Sequence, residues 1–226
     1  MVELIETTQS KLYRWPAPAA FGRTVPKTKF YEHGNVHTAL REKFVEDVQR
    51  ITWAYKLADS TIRLKGTAAV PEIQIFTVET KGADVSDDVL TAIDKSVHFP
   101  ILFEVVRGSG DGVRLVAAHK TLGGATPKLG SYFSTGWRPV DAPRAPLPTA
   151  LDLSSLYEAL LASLLPVAPR PGESVSHATD RMERARKLER EIAALERKLR
   201  TEPQLNRKIE LRRELQDRQA SLASLL

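Results

Sequence analysis

Apolar positions between residues 37 and 64 change their spacing partway along the segment. They first recur at intervals of four, four and three residues, which predicts an amphipathic helix over residues 37–55: Leu40, Phe44, Val48 and Ile51. Asp59 and Ser60 break this pattern, and residues 61–64 (TIRL) are expected to begin a strand. Trp53, Tyr55 and Lys56 fall at the junction, and we interpret them as packing residues that seal the helix end against a sheet.

The segments that follow carry mostly strand patterns. Residues 72–80 (EIQIFTVET) are rich in β-branched side chains and are expected to form a strand. Residues 84–87 (DVSD) offer capping side chains to a short helix that ends near Val97. A buried strand, a hairpin strand and a further strand are then expected, in that order, over residues 100–106, 113–120 and 131–140. This order predicts an α+β fold, α/β-like with a mixed sheet.

Proline-rich stretches mark the domain boundaries. Residues 1–36 are expected to form an extended N-terminal arm, because residues 10–30 are rich in Pro and turn formers and have no period. Residues 37–140 then form the core domain. Residues 141–175 are interpreted as a Pro-rich linker that contains one apolar helix.

The composition changes from residue 176 onward to mostly Arg, Glu, Leu, Lys and Ala. A first coiled-coil seam follows a three-four alternation through Ala185, Leu188, Ile192, Leu195 and Leu199. A second is expected at Leu205, Ile209, Leu215, Leu222 and Leu225. The short break between them predicts that residues 176–226 form an antiparallel helical hairpin, or coiled coil, at the C-terminal end of the fold.

The composition limits the classes of protein to consider. The chain has no Cys, which excludes disulfides and thiolate ligands. No apolar run approaches the roughly 20 residues of a membrane span, so no membrane association is predicted. The first residues (MVELIETTQSKLYRW) place acids before any base and lack an apolar core, so we expect no signal peptide and a cytoplasmic protein.

The formal net charge is +5, from 33 Lys and Arg against 28 Asp and Glu. Residues 181–218 carry 13 of the basic and 8 of the acidic residues, so the whole excess falls in the predicted hairpin. DNA, RNA or an acidic protein would suit such a segment, and a solvated coiled coil is the alternative. Basic residues next to aromatic ones in VPKTKFY add two candidates in the arm. The nucleic-acid-binding candidates are Lys27, Lys29, Arg197, Lys198, Arg200, Arg207, Lys208, Arg212 and Arg213.

Motifs of catalysis are weak in this chain. No P-loop, dinucleotide fingerprint or nucleophile elbow is present, and the five His residues are scattered, so no cofactor or metal centre is predicted. The element order resembles the core of the PD-(D/E)xK nucleases, in which carboxylates hold Mg²⁺ beside the scissile phosphate. Asp59, Glu72 and Gln74 would occupy those places, with Gln74 where the motif needs Lys, so a degenerate or structural role is favoured over a catalytic one.

Five blocks in order resemble one family: VPKTKFYE, KFVEDVQRITWAYKLADSTIRL, EIQIFTVET, AIDKSVHFPILFEV and EPQLNRKIELRREL. They are similar to the uncharacterised bacterial family labelled domain of unknown function 4391, over residues 20–218. The resemblance implies a setting beside helicases and DNA methyltransferases of restriction or phage-defence type. The matched residues to which it gives some importance are Lys27, Lys29, Trp53, Lys56, Gln204, Asn206, Arg207 and Lys208.

Three hypotheses for function follow from these observations. The first is a non-enzymatic accessory subunit of an anti-phage defence or restriction-type system, which binds a helicase or methyltransferase partner, nucleic acid or both through the basic hairpin. The second is a divergent metal-dependent nuclease that uses Asp59 and Glu72. The third is a structural protein that forms homo-oligomers through its hairpins.

Overall fold

The first part of the chain is built on a seven-stranded mixed sheet. The strands are β1 (Ala20–Thr24), β2 (Val48–Leu57), β3 (Ile73–Thr80), β4 (Ile101–Val106), β5 (Gly112–Thr121), β6 (Lys128–Ser134) and β7 (Arg138–Pro139). Strands β1 to β6 lie in sequence order, and β7 pairs with β5. All pairings are antiparallel except that of β3 with β4, which are parallel. This computed structural model describes residues 11–33, 37–122 and 127–226.

Helices connect these strands and then complete the chain. They are α1 (Thr28–His33), α2 (Thr38–Asp47), α3 (Asp59–Ile62), α4 (Asp87–Ser96), α5 (Leu153–Ala162), α6 (Val175–Thr201) and α7 (Leu205–Leu225). Helix α4 provides the crossover that two parallel strands require. By its internal contacts the chain divides into two units, residues 1–168 and 169–226. The predicted α+β class with a C-terminal helical hairpin is confirmed.

One face of the sheet carries the main core of the first unit. Phe76, Phe103 and Val105 on this face are covered by Phe44 from α2 and Ile93 from α4, and all five are buried. Helix α4 contributes because its apolar residues recur at helical spacing and point to one side. Packing of this kind supplies most of the free energy that holds the elements together.

The predicted helix over residues 37–55 is wrong in its second half. Helix α2 ends at Asp47, and residues 48–57 form strand β2. The apolar spacing misled because β2 contains two irregularities in its pairing with β3, between Val48 and Arg50 and between Trp53 and Tyr55. Each bulge inserts a residue and shifts the alternation of faces, so a strand can imitate a helical interval of three.

A smaller expectation is also corrected. Residues 59–62 form the short helix α3 and not the start of a strand. Strand β3, which Glu72 precedes, lies between β2 and β4. One edge of the sheet is β1, in the segment interpreted as an extended arm, and it pairs with β2.

The opposite face of the sheet holds the segment that precedes β1. Trp15 is buried, and its indole Nε1 donates a hydrogen bond to Glu104 Oε1 at 2.8 Å. Arg144 contacts the same carboxylate oxygen at 2.5 Å and donates a second hydrogen bond to the Tyr13 carbonyl at 2.9 Å. The carboxylate of Glu104 therefore joins two segments distant in sequence, residues 13–15 and residue 144, to the centre of the sheet.

A buried ion pair ties the end of α4 to strand β5. Lys120 Nζ lies 2.5 Å from Asp94 Oδ1, and Tyr132 donates a hydrogen bond to Asp94 Oδ2 at 2.9 Å. The ammonium also donates to three backbone carbonyls, those of Asp94, Val97 and Phe99. Burial lowers the pKa of Lys120 and raises the pKa of Asp94, and their mutual attraction opposes both shifts. The Asp94 carbonyl also accepts from the Val97 backbone N–H, whereas the Lys120 side chain supplies the donor for the Val97 and Phe99 carbonyls beyond the end of α4.

We expect Lys120→Met to lower the free energy of unfolding by about 3–5 kcal/mol, because it leaves a buried carboxylate and several carbonyls without their donor. Urea denaturation measures this loss. Lys95→Met, at an exposed position on α4, is the matched control and should change stability by less than about 0.5 kcal/mol. Adding Asp94→Leu to Lys120→Met should restore part of the loss, and a double variant no more stable than Lys120→Met would contradict this account.

The second unit consists of helices α6 and α7, which pack against each other as an antiparallel hairpin. Arg218 of α7 forms an ion pair with Glu191 of α6 at 2.9 Å. The seam of α6 is as predicted, with every member buried or half-buried: Ala185, Leu188, Ile192, Leu195 and Leu199. Such burial is required, because helices of this length are marginal in isolation.

The predicted seam of α7 is wrong in its first turn. Leu205 and Ile209 are 69% and 42% exposed. The inward residues include Leu211, Leu215, Leu222 and Leu225, which are buried or half-buried, together with half-buried Arg218. These positions alternate at intervals of four and three, and Leu205 and Ile209 lie out of phase with them.

The open end of the hairpin is closed by Glu173 and two arginines. Arg181 contacts Glu173 through Nε and Nη2, each at 2.8 Å, and Arg170 donates its backbone N–H to the same carboxylate at 2.9 Å. Both guanidinium groups donate hydrogen bonds to the Leu225 carbonyl, at the end of α7. Cations suit this place because the last carbonyls of a helix are unpaired and carry partial negative charge.

The Arg181 guanidinium, followed by the Arg170 backbone N–H, lowers the pKa of Glu173 from 4.5 to about 2. The stabilisation from this depressed pKa is therefore fully present above pH 4.5 and is lost as the pH falls toward 2. We expect Glu173→Gln to lower the melting temperature at about pH 6 and to have little effect at about pH 2. Circular dichroism measures both. Glu189→Gln, an exposed change on α6, is the control, and a deficit in Glu173→Gln that persists at low pH would contradict the assignment.

Candidate functional site

The bend between α6 and α7 concentrates positive charge. We call residues 197–213 the hairpin tip; they hold seven basic and two acidic residues, whereas the rest of the chain holds 26 of each sign. All seven basic side chains are exposed except that of Lys208, which is half-buried. Among the described residues only Arg207 of this set forms an ion pair, with Glu210 at 2.6 Å. The six without an ion pair are Arg197, Lys198, Arg200, Lys208, Arg212 and Arg213.

In the described part of the chain, no acidic residue near the tip forms an ion pair with these six cations. Glu202 lies between the helices, and its Oε1 accepts a hydrogen bond from the Gln204 backbone N–H at 3.0 Å. Glu214 contacts Arg218 at 3.8 Å, on the side of the tip toward the hairpin base. Because exposed like charges repel in the absence of counter-charges, a polyanion that approached the tip would gain favourable contacts.

The two lysines predicted in the N-terminal arm take different places. Lys27 Nζ donates a hydrogen bond to the Val48 carbonyl, and partial burial followed by repulsion from Lys81 lowers its pKa. Its ammonium is therefore engaged within the fold. Lys29 is exposed on α1, while Phe30 beside it is buried in the core.

A second polar cluster lies where β2 and β3 meet. Lys56 Nζ forms an ion pair with Glu72 Oε2 at 2.7 Å, and Gln74 Nε2 donates to Glu72 Oε1 at 2.5 Å. Glu72 and Gln74 are buried, and Lys56 is half-buried. Lys56 reaches this carboxylate because it pairs with Gln74 across the antiparallel strands.

This contact was not predicted from the sequence, because Lys56 was expected to lie at the end of a helix. A strand prediction for residues 48–57, with antiparallel pairing to β3, would have brought Lys56 opposite Gln74. The β-branched and aromatic side chains of ITWAY were the signal for such a strand.

The structure does not bring Asp59 into this cluster. Asp59 begins α3 and is exposed, and no contact joins it to Glu72 in the described part of the chain. Across residues 11–33, 37–122 and 127–226, no group of three or more His, Asp or Glu side chains could hold a metal ion. Both oxygens of Glu72 already have partners within the protein.

The geometry defines an α+β protein with a basic helical hairpin, and comparison with known families agrees with the earlier resemblance. The model of the domain of unknown function DUF4391 matches residues 14–222, so the chain belongs to this family. No curated protein and no solved structure matches the chain. Of the helices described, none combines the length and the apolar character needed to cross a membrane.

We expect the protein to leave supercoiled plasmid intact in the presence of Mg²⁺ or Mn²⁺, because Glu72 is neutralised by Lys56 and lacks a second carboxylate. Gel electrophoresis after prolonged incubation measures nicking. Cleavage by the wild-type protein that is lost in Glu72→Gln but kept in Glu79→Gln would contradict this expectation and favour the nuclease hypothesis.

Proposed function

We propose that this protein is a non-catalytic accessory subunit that binds nucleic acid through the hairpin tip. The observation that carries the proposal is the group of six basic side chains at one bend that have no ion-pair partner among the described residues. An ordinary solvated helix surface intersperses charges of both signs, which neutralise each other locally. At the tip seven basic residues stand with only two acidic ones, so the charges do not neutralise each other.

Phosphate groups are the natural partners of such a surface. Each Lys or Arg that contacts a backbone phosphate releases condensed counterions, which gives affinity without sequence preference. Arg is the more frequent residue here, and its planar guanidinium can contact two phosphate oxygens at once. We therefore expect binding that depends strongly on salt and weakly on sequence.

The length of the hairpin places the basic residues of the tip far from its base. Helix α6 has 27 residues, which corresponds to a length of about 40 Å. Arg170 and Arg181 contact the end of α7 and Glu173 holds Arg181 in place, which closes the base of the hairpin at the end opposite the tip. A rigid, closed base lets the tip present its charges in a fixed arrangement, which lowers the entropy lost on binding.

A protein partner would use a different part of the same tip. Leu205 and Ile209 are exposed on one side of α7, next to Arg212 and Arg213. Apolar side chains rimmed by charge suit a protein interface. The family resemblance favours a helicase or DNA methyltransferase of a cytoplasmic defence or restriction-type system as that partner. Pairing of two hairpins into a homo-oligomer is the alternative use of Leu205 and Ile209, and size-exclusion chromatography distinguishes the two.

The test compares two double variants with the same net charge. Arg212→Gln with Arg213→Gln removes two charges from the tip, and Arg184→Gln with Arg190→Gln removes two exposed charges from α6 outside it. We expect the first to weaken duplex binding at least about tenfold and to reduce the slope of log K against log salt by about 2, at about 0.9 per lost phosphate contact. Fluorescence anisotropy at several salt concentrations measures both quantities.

The control variant should bind within about threefold of the wild-type protein, because its charges lie away from the tip. Equal losses in the two variants would show that net charge alone, and not the hairpin tip, attracts the nucleic acid. Wild-type binding that does not change with salt would also contradict the proposal.

A further inference from the structure

The first unit contains a cavity of 380 Å³ that shares only Gln74 with the nuclease hypothesis and is lined by no residue of the hairpin. It lies on the core face of the sheet and is lined by α1, by strands β2 and β3, and by the segment that ends α4. Its volume falls within the range of about 300–1,000 Å³ that is typical of small-molecule sites. The residues that line it are Val25, Lys29, Phe30, Trp53, Gln74, Phe76, Ser96, Val97, His98 and Phe99.

Aromatic rings make up half of the lining. Trp53 and Phe76 are direct partners across β2 and β3, and their rings are nearly parallel, with an interplanar angle of 7° and centroids 6.1 Å apart. Phe30 and Phe99 lie on the helical sides of the cavity. The Trp53 indole N–H is bound to the Tyr55 carbonyl at 3.0 Å, which fixes the ring in position. Phe21 also packs against Trp53, with ring centroids 4.1 Å apart, so a flat aromatic ligand would contact these rings where their neighbours leave them uncovered.

One buried polar side chain in the lining has an unused acceptor. Gln74 is only 4% exposed and lines the cavity. Its Nε2 must face Glu72, because a carboxylate paired with Lys56 can only accept hydrogen bonds. Among the described residues no donor contacts Gln74 Oε1. This oxygen is not enclosed by protein, so it is open to a ligand that supplies an N–H.

The edge of the cavity adds polar groups of a different kind. Lys29 and His98 both line it and are exposed to solvent. A ligand seated on the aromatic rings would therefore carry its polar or anionic part toward these two residues. A nucleobase attached to a sugar or sugar phosphate has all three of these features: a flat ring, an N–H donor on its edge and a polar group that points outward.

We propose that this cavity binds a single unpaired nucleobase, which packs against Trp53 and Phe76 and donates a hydrogen bond from its ring edge to Gln74 Oε1. The base could come from a free nucleotide or from a single strand of nucleic acid, since both present the same ring and the same donor. This site is separate from the hairpin tip and recognises bases, whereas the tip recognises phosphates.

The first experiment uses neutral nucleosides, which carry no phosphate for the hairpin tip to bind. Adenosine, guanosine, cytidine and uridine are titrated into the full chain by calorimetry. Val25→Phe and Ser96→Phe each fill the cavity from a different wall, and Val45→Phe adds the same ring at an exposed position on α2 outside it. We expect binding of at least one nucleoside to weaken by at least about tenfold in both filling variants and to change by less than about twofold in Val45→Phe.

The second experiment separates the two sources of the base. A short single strand is compared with an abasic strand of the same length and charge, so that phosphate contacts cancel. The strand is identified as the source if the protein prefers it over the abasic strand by at least about fivefold and this preference disappears in Val25→Phe and Ser96→Phe. The free nucleotide is identified as the source if nucleosides bind tightly.

The proposal is overturned if the wild-type protein binds no nucleoside and does not distinguish the two strands. It is also overturned if Val25→Phe and Ser96→Phe keep the wild-type melting temperature and still bind nucleosides and the single strand as tightly as the wild-type protein does. Neither result affects the hairpin proposal, because a tip that binds phosphate would hold the abasic strand as well.

Discussion

Lys120 is the residue on which the geometry of the first unit depends. Its ammonium holds the carboxylate of Asp94 and the carbonyls of Val97 and Phe99, so one buried charge fixes both the end of α4 and the turn that follows. That turn is a wall of the aromatic cavity. A group buried this completely tolerates little displacement, because any shift would leave an ion or a carbonyl unpaired. The cavity is therefore preformed by an interaction that lies outside its lining.

Much of the fold could be predicted from local patterns, and the failures have a common cause. The strands at β3, β4 and β5, the helix α4 and the two hairpin helices follow from periodicity and capping. Strand β2 could not be found in the same way, because its bulges depend on pairing with β3. Strand β1 could not be predicted for a similar reason. Its residues are all exposed and do not alternate between apolar and polar, so only its pairing with β2 defines it as a strand.

The candidate sites also differ in whether they could be predicted from local sequence. The basic tip was visible in the sequence, since charge is a property of composition and the bend is short. The pairing of Lys56 with Glu72 and the burial of Lys120 were not, because each joins residues that are brought together only by the sheet. The aromatic cavity was equally hidden: Trp53 and Phe76 are 23 positions apart in the chain and are direct partners in space.

The bulge at Ala54 decides which face of the sheet Lys56 occupies. If Ala54 were paired opposite Ile75 instead of bulging out, Tyr55 would stand opposite Gln74 and Lys56 opposite Ile73. The ammonium would then project among aliphatic side chains on the far side of the sheet. The bulge therefore keeps Lys56 on the same face as Glu72, so a local irregularity of the backbone is what allows the ion pair between these two strands to form.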